Sequence, residues 1–162
     1  MCTKPEKRPL RQFSDDRGEF IKLFDQGLFP GFTICQTNFV RNNRQGTFRG
    51  LHMQKSPASE GKIFMVLSGS IQLVCCSLNN QLHDVKSFIL NSTQSVVQVP
   101  KGYATGYLVL EDQTNVLYFS DEHYSPELEI GIRWNDPLMK VDWVIEPTDV
   151  SAKDLSWPYW TF

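Results

Sequence analysis

Lys62-Ile63-Phe64-Met65-Val66-Leu67-Ser68-Gly69-Ser70-Ile71-Gln72-Leu73-Val74-Cys75-Cys76-Ser77-Leu78 is the stretch that decides the fold. Two apolar, β-branched runs, Lys62–Leu67 and Ser70–Leu78, flank Ser68-Gly69. Each is too short for a buried helix and far too short to span a bilayer. A two-residue break of this kind predicts a tight hairpin.

Working outward, similar runs recur on both sides. Strands are expected near Glu19–Phe24, Phe32–Val40, Thr47–His52, Asp84–Leu90, Ser95–Val99, Thr105–Val109 and Asn115–Ser120. Turn signals divide them at Asn79-Asn80, Pro100-Lys101-Gly102 and Glu111-Asp112-Gln113. No window holds a clean helical apolar stripe. The reading is an all-β barrel or sandwich in one domain, with a short helical or irregular C-terminal segment. Ser125–Glu129 can start one helical turn, and Asp136-Pro137 and Glu146-Pro147 break the chain beyond it. The chain closes on Trp157-Pro158-Tyr159-Trp160-Thr161-Phe162.

Composition narrows the function. The 162 residues are 41% hydrophobic and carry a net charge of −2. That is enough apolar material for a core, and no basic field exists for nucleic acid or an anionic membrane. The N-terminus, MCTKPEKRPL, lacks the apolar core of a signal peptide. Cys2, Cys35, Cys75 and Cys76 show no C-x-x-C pair, so reduced thiols in a cytoplasm are expected.

Motif chemistry alone is sparse. Histidine occurs at positions 52, 83 and 123. A cupin metal site wants an H-x-H pair, but His52 is followed by Met53-Gln54, and Thr105 stands where a later ligand would sit. No metal or other cofactor is expected. Neither a nucleophile elbow nor a P-loop appears. Arg49-Gly50-Leu51-His52 stands out, because a strand glycine permits close approach by a ligand or backbone. Simple alternation puts Arg49 with Leu51 on one face and Gly50 with His52 on the other.

Longer motifs say more. Asp16-Arg17-Gly18-Glu19-Phe20, Gln36-Thr37-Asn38, Phe48-Arg49-Gly50-Leu51-His52-Met53-Gln54, Gly61-Lys62 and Val99–Ala104 come first. Leu117-Tyr118, Tyr124–Pro137 with its G-I-R-W-N-D-P run, Val141-Asp142-Trp143 and Ser151-Ala152-Lys153-Asp154 come next. In this order and spacing the chain resembles the dTDP-4-dehydrorhamnose 3,5-epimerase family across most of its length.

The resemblance implies a metal-free, cupin-like jelly roll, a homodimer, and a nucleoside-diphosphate 4-keto-6-deoxy sugar as substrate in deoxysugar biosynthesis for cell-surface polysaccharide. Carried over by position, His52 is implied as base, Asp154 as its carboxylate partner, Tyr118 as acid and Lys62 as enolate partner. Arg17, Gln36, Asn38, Arg49, Glu129 and Lys153 are implied as substrate contacts. The ketone acidifies C3 and C5, so a base, an acid on the other face and a cation beside the enolate are the groups required.

Three positions in the implied substrate ring depart from the family pattern. Thr105 replaces a usual His, Lys22 a usual acidic residue, and Thr37 a usual Asp. One extra residue lies between Gln36 and His52. Neutral drift and a different nucleotide or sugar both account for this. A 3,4-keto-isomerase and a non-catalytic nucleotide-sugar binder are the alternative functions. Within the dimer, Arg17 and Lys22, at the early strand Glu19–Phe24, are expected to reach the partner's site. The C-terminal aromatics are expected either to join that interface or to fold over their own barrel.

Overall fold

The fold is described from a computed structural model over residues 2–78, 84–92 and 94–160. The Asn79-Asn80 turn, His83, and Thr161 and Phe162 of the aromatic tail lie outside the described residues. The strands are β1 (Glu6–Pro9), β2 (Arg11–Asp15), β3 (Gly18–Lys22), β4 (Gln36–Asn42), β5 (Thr47–Gln54), β6 (Lys62–Ser68) and β7 (Ser70–Ser77). After them come β8 (Val85–Asn91), β9 (Ser95–Val99), β10 (Tyr103–Val109), β11 (Thr114–Ser120), β12 (Glu129–Gly131) and β13 (Asp149–Val150). A 3-10 turn, Pro126–Leu128, occupies the position of the expected helical turn, and helix α1 (Ala152–Ser156) comes after β13.

Two sheets face each other. One has the order β1-β9-β6-β11-β4, the other β12-β5-β10-β7-β8, with β13 added parallel to β5. This is the expected all-β jelly roll. The hairpin at Ser68-Gly69 is not present. β6 pairs with β9 and β11, whereas β7 pairs with β8 and β10, so Gly69 turns the chain from one sheet to the other. Thr114 explains the corner. Its hydroxyl receives the Ser70 N–H at 3.3 Å, and a Cβ on Gly69 would lie 2.2 Å from it. That packing fixes a turn in which Gly69 has φ +78° and the two strands diverge.

The central strands are buried on both faces, which is why β6 and β7 read as continuous apolar runs. Phe64, Val66, Leu73, Val97 and Val109 fill the space between the sheets. Phe29 and Phe32 cover Ile63 and Met65 on the outer face of the first sheet. Ile132, Met139 and Trp160 cover Phe48, Leu51 and Leu108 on the outer face of the second. The tail thus folds over its own barrel as far as residue 160. The Trp160 N–H donates to Asp136 Oδ2 at 2.5 Å, and Arg133 sits 5.1 Å from the Tyr159 ring centroid.

Several strand limits differ from expectation for the same reason. Phe32 does not open a strand. It comes after the Phe29-Pro30-Gly31 turn and packs against Phe24, so β4 starts at Gln36. β3 stops at Lys22, because Leu23 and Phe24 leave it to pack beneath the first sheet. Core burial overrides local strand propensity at both ends. β2 and β3 form a two-stranded sheet outside the two main ones.

Candidate active site

Pairing across the second sheet sets Gly131, His52, Thr105 and Cys75 side by side on β12, β5, β10 and β7. Across the first, Tyr118 lies between Asn38 and Phe64, and Ser120 between Gln36 and Lys62. His52 and Tyr118 therefore stand on facing walls of the barrel. Two adjoining chambers of about 290 and 300 Å³ meet at His52, Lys62, Tyr118 and Lys153. The inner one adds Arg49, Thr105, Tyr107 and Asp154. The outer one adds Gln36, Asn38, Glu60, Tyr124 and Glu129. Their sizes suit a small ligand divided between them.

Arg49 and His52 share this cavity, against simple alternation. Between Thr105 and Tyr107 on β10, β5 advances from His52 to Arg49, one residue more. Gly50 sits in this bulge at φ +116°, and a Cβ there would meet the Gly106 Cα at 2.5 Å. The extra residue shifts the pleat by one position, so Phe48 and Leu51 both turn to the outer core and Arg49 and His52 both turn inward.

Asp154 arrives from α1. Ser151 caps that helix, accepting the Asp154 N–H at 3.0 Å. The Trp157 ring lies against Gly131, where a Cβ would come within 2.5 Å of it, and this seats the helix next to β5. His52 ends between two carboxylates. Its Nδ1 is 3.5 Å from Glu129 Oε1, and its Nε2 is 4.0 Å from Asp154 Oδ1. Both distances are beyond a hydrogen bond. Lys62 Nζ pairs with Glu60 Oε1 at 2.7 Å and donates to Thr105 Oγ1 at 3.4 Å. Glu129 pairs with Lys153 and accepts the Tyr124 hydroxyl at 2.8 Å. Gln36 Nε2 donates to Asn38 Oδ1 at 2.9 Å, and the shielded Asn38 Nδ2 has no partner among the described residues.

The electrostatics divide the roles. Burial, then the Lys62 charge, holds the His52 imidazole below its ordinary pKa against the opposing pull of Glu129 and Asp154. His52 is thus neutral at pH 7 and has a free lone pair. Burial, then the Glu60 charge, pushes the Tyr118 phenol up, so it keeps its proton. Burial raises Glu129, but hydrogen bonds from Lys153 and Tyr124 and the His52 charge outweigh it and leave a net lowering. A neutral base, a protonated acid and an ammonium face one cavity. Among the described residues no three His, Cys, Asp or Glu side chains gather as a metal-ligand set.

Of the residues singled out from sequence, His52, Lys62, Tyr118, Asp154, Gln36, Asn38, Arg49, Glu129, Lys153 and Thr105 line these chambers. Arg17 and Lys22 do not. Arg17 sits in the β2–β3 turn, 90% exposed and paired with Asp15, and Lys22 pairs with Asp25 at 3.8 Å. Sequence reasoning did not single out Glu60, Tyr107 or Tyr124. Tyr107 lies two residues after Thr105 on β10, so strand periodicity could have found it, whereas Glu60 lies in a loop where no period applies.

A family model described as dTDP-4-dehydrorhamnose 3,5-epimerase matches residues 8–161. The enzyme of that name from Methanothermobacter thermautotrophicus is 32% identical over 156 residues, 90% of this chain and 83% of the relative. The Escherichia coli enzyme is 31% identical over 82% of this chain and 76% of its own length. The Bacillus anthracis enzyme, solved with TDP and PPi bound, superposes with a TM-score of 0.92 at 30% identity, covering 98% of this chain and 95% of that one. A Legionella pneumophila epimerase, solved with dTDP-4-keto-L-rhamnose, gives 0.86 at 29% identity, covering 95% and 86%. Matched over nearly all its length in both sequence and fold, the chain belongs to the dTDP-4-dehydrorhamnose 3,5-epimerase family and is an epimerase.

Proposed function

We propose that the chain inverts C3, C5 or both of a nucleoside-diphosphate 4-keto-6-deoxy sugar. One observation supports this most: a neutral imidazole and a protonated phenol occupy opposite walls of one cavity, with an ammonium beside them. His52 takes the proton from the carbon next to the ketone. The electrons move onto the C4 oxygen, and Lys62 stabilises the resulting enolate. Tyr118 gives a proton to the opposite face of that carbon, and the C4 carbonyl re-forms. The imidazolium then loses its proton and the phenolate regains one, so each turn is balanced through solvent. Asp154 and Glu129 flank the imidazolium while it exists.

Arg49 and Lys153 line the cavity as cations, which supports a diphosphate contact for them, the guanidinium fork matching phosphate oxygens. A 3,4-keto-isomerase would use the same groups, so product analysis must separate the two. Proton NMR in deuterium oxide, over a panel of 4-keto nucleotide sugars, is the test. Deuterium at C3 or C5 with inversion is expected for at least one substrate. No exchange with any of them would overturn the reading. The unpaired thiols of Cys2, Cys35, Cys75 and Cys76 support a reducing cytoplasmic setting.

The working form is proposed to be a homodimer in which the β2–β3 hairpin serves the partner's site. The hairpin lies outside both main sheets and exposes Phe13 and Phe20 at 57% and 62%. β4, the edge strand carrying Gln36 and Asn38, pairs only with β11 among the described residues. A strand added there would cover the edge and bring Arg17 toward the substrate. Sedimentation at micromolar concentration should give a dimer mass. Mixing inactive Arg17→Ala and His52→Asn proteins should restore activity, because a mixed dimer holds one intact site. A monomer, or proven subunit exchange without recovery, would end this arrangement.

A further inference from the structure

We propose that Glu60 is a positioning residue for catalysis, its carboxylate holding the Lys62 ammonium so that one N–H is left aimed at the substrate's C4 oxygen. This rests on the enolate reading of the site. Glu60 lies in the loop just before β6, and its neighbour is tightly fixed. The Gly61 N–H donates to Asp121 Oδ1 at 2.6 Å, and the Asp121 N–H returns to the Gly61 carbonyl at 3.1 Å. From that anchor, Glu60 Oε1 reaches Lys62 Nζ at 2.7 Å, and Oε2 lies 3.2 Å from Ser120 Oγ on β11. The paired side chains are only 11% and 9% exposed.

Lysine carries its charge on a flexible stem and has three N–H donors. Glu60 takes one and the Thr105 hydroxyl a second, at 3.4 Å. The third is left for the cavity that His52 and Tyr118 also line. Glu60 also offsets the Lys62 charge. As His52 gains a proton during the reaction, a bare ammonium nearby would repel it. A buried cation stripped of its partner would turn elsewhere for one, and the enolate would lose its donor.

Glu60→Gln keeps the side chain's shape and removes the charge. Deuterium wash-in at the exchanging carbon should fall about tenfold, as expected for loss of one charge-assisted hydrogen bond, with KM within about twofold of wild type. The decisive comparison uses Lys62→Met. Because Glu60 acts through Lys62, adding Glu60→Gln to Lys62→Met should cause no further loss. Circular dichroism checks that each variant is folded. Wild-type exchange by Glu60→Gln, or a full tenfold loss on top of Lys62→Met, would overturn the inference and leave the epimerase reading standing. Absence of exchange in the wild type removes both.

Discussion

Asparagine at His52 is expected to slow deuterium wash-in at both C3 and C5 by about a thousandfold, the middle of the range for loss of a general base. The amide has roughly the size of the imidazole but no basic lone pair. The fold should survive, because the His52 side chain lies at a chamber wall, 31% exposed, and its contacts to Glu129 and Asp154 are both longer than a hydrogen bond. Wild-type activity should also fall on acidification as His52 takes up a proton and loses its lone pair. Burial and Lys62 lower its affinity for that proton, so the acid limb should lie below the pH of free imidazole titration. Lys62→Met should move the limb upward, since the second cause is removed. NMR exchange assays across pH measure both effects. Near wild-type wash-in by His52→Asn would remove it as the base.

Phenylalanine at Tyr118 should separate two events that occur together in the wild type. The ring stacks on Phe64 at 5.1 Å and 25°, and phenylalanine keeps that contact. Only the hydroxyl is lost. His52 can still take the proton and return it to the same face, so deuterium exchange should stay within about tenfold of wild type. Inversion needs a donor on the opposite wall, and should drop by about two to three orders of magnitude, the worth of a placed acid. Exchange is read from the proton spectrum, inversion from the coupling constants of the product. An equal fall in both would mean that Tyr118 serves the enolate or the packing instead.

The jelly roll was legible because burial of both faces writes itself into composition. β6, β7, β9 and β10 are apolar runs between turn residues, and all four exist within about two residues of expectation. Their partners were less visible. Ser68-Gly69 has the length of a hairpin, yet the choice of partner depends on Thr114, which is distant in sequence and packs into the corner. β12 and β13 escaped notice since each is three residues or fewer and is held by β5 rather than by its own propensity. Helix α1 has only five residues, and its S-x-x-D cap is its one local signal.

The site was legible by motif and not by spacing. His52, Lys62, Tyr118 and Asp154 come from four elements, and no sequence period links them. Glu60 escaped because a glutamate in a loop reads as solvated until the fold sets it against Lys62. Arg17 carries the opposite lesson. Its motif singled it out, while its own chain leaves it exposed, paired with Asp15 and away from both chambers.

The contact between Gly50 and Gly106 bears on how this barrel can be remodelled. Each glycine meets the other strand's backbone, the Gly50 side at the Gly106 Cα and the Gly106 side at the Arg49 carbonyl, 2.9 Å from an added Cβ. A saturation library should therefore return glycine almost alone at both positions, whatever activity is selected. Engineers seeking new sugars would do better to leave that pair untouched and diversify Thr105 and Tyr107. Both side chains line the inner chamber.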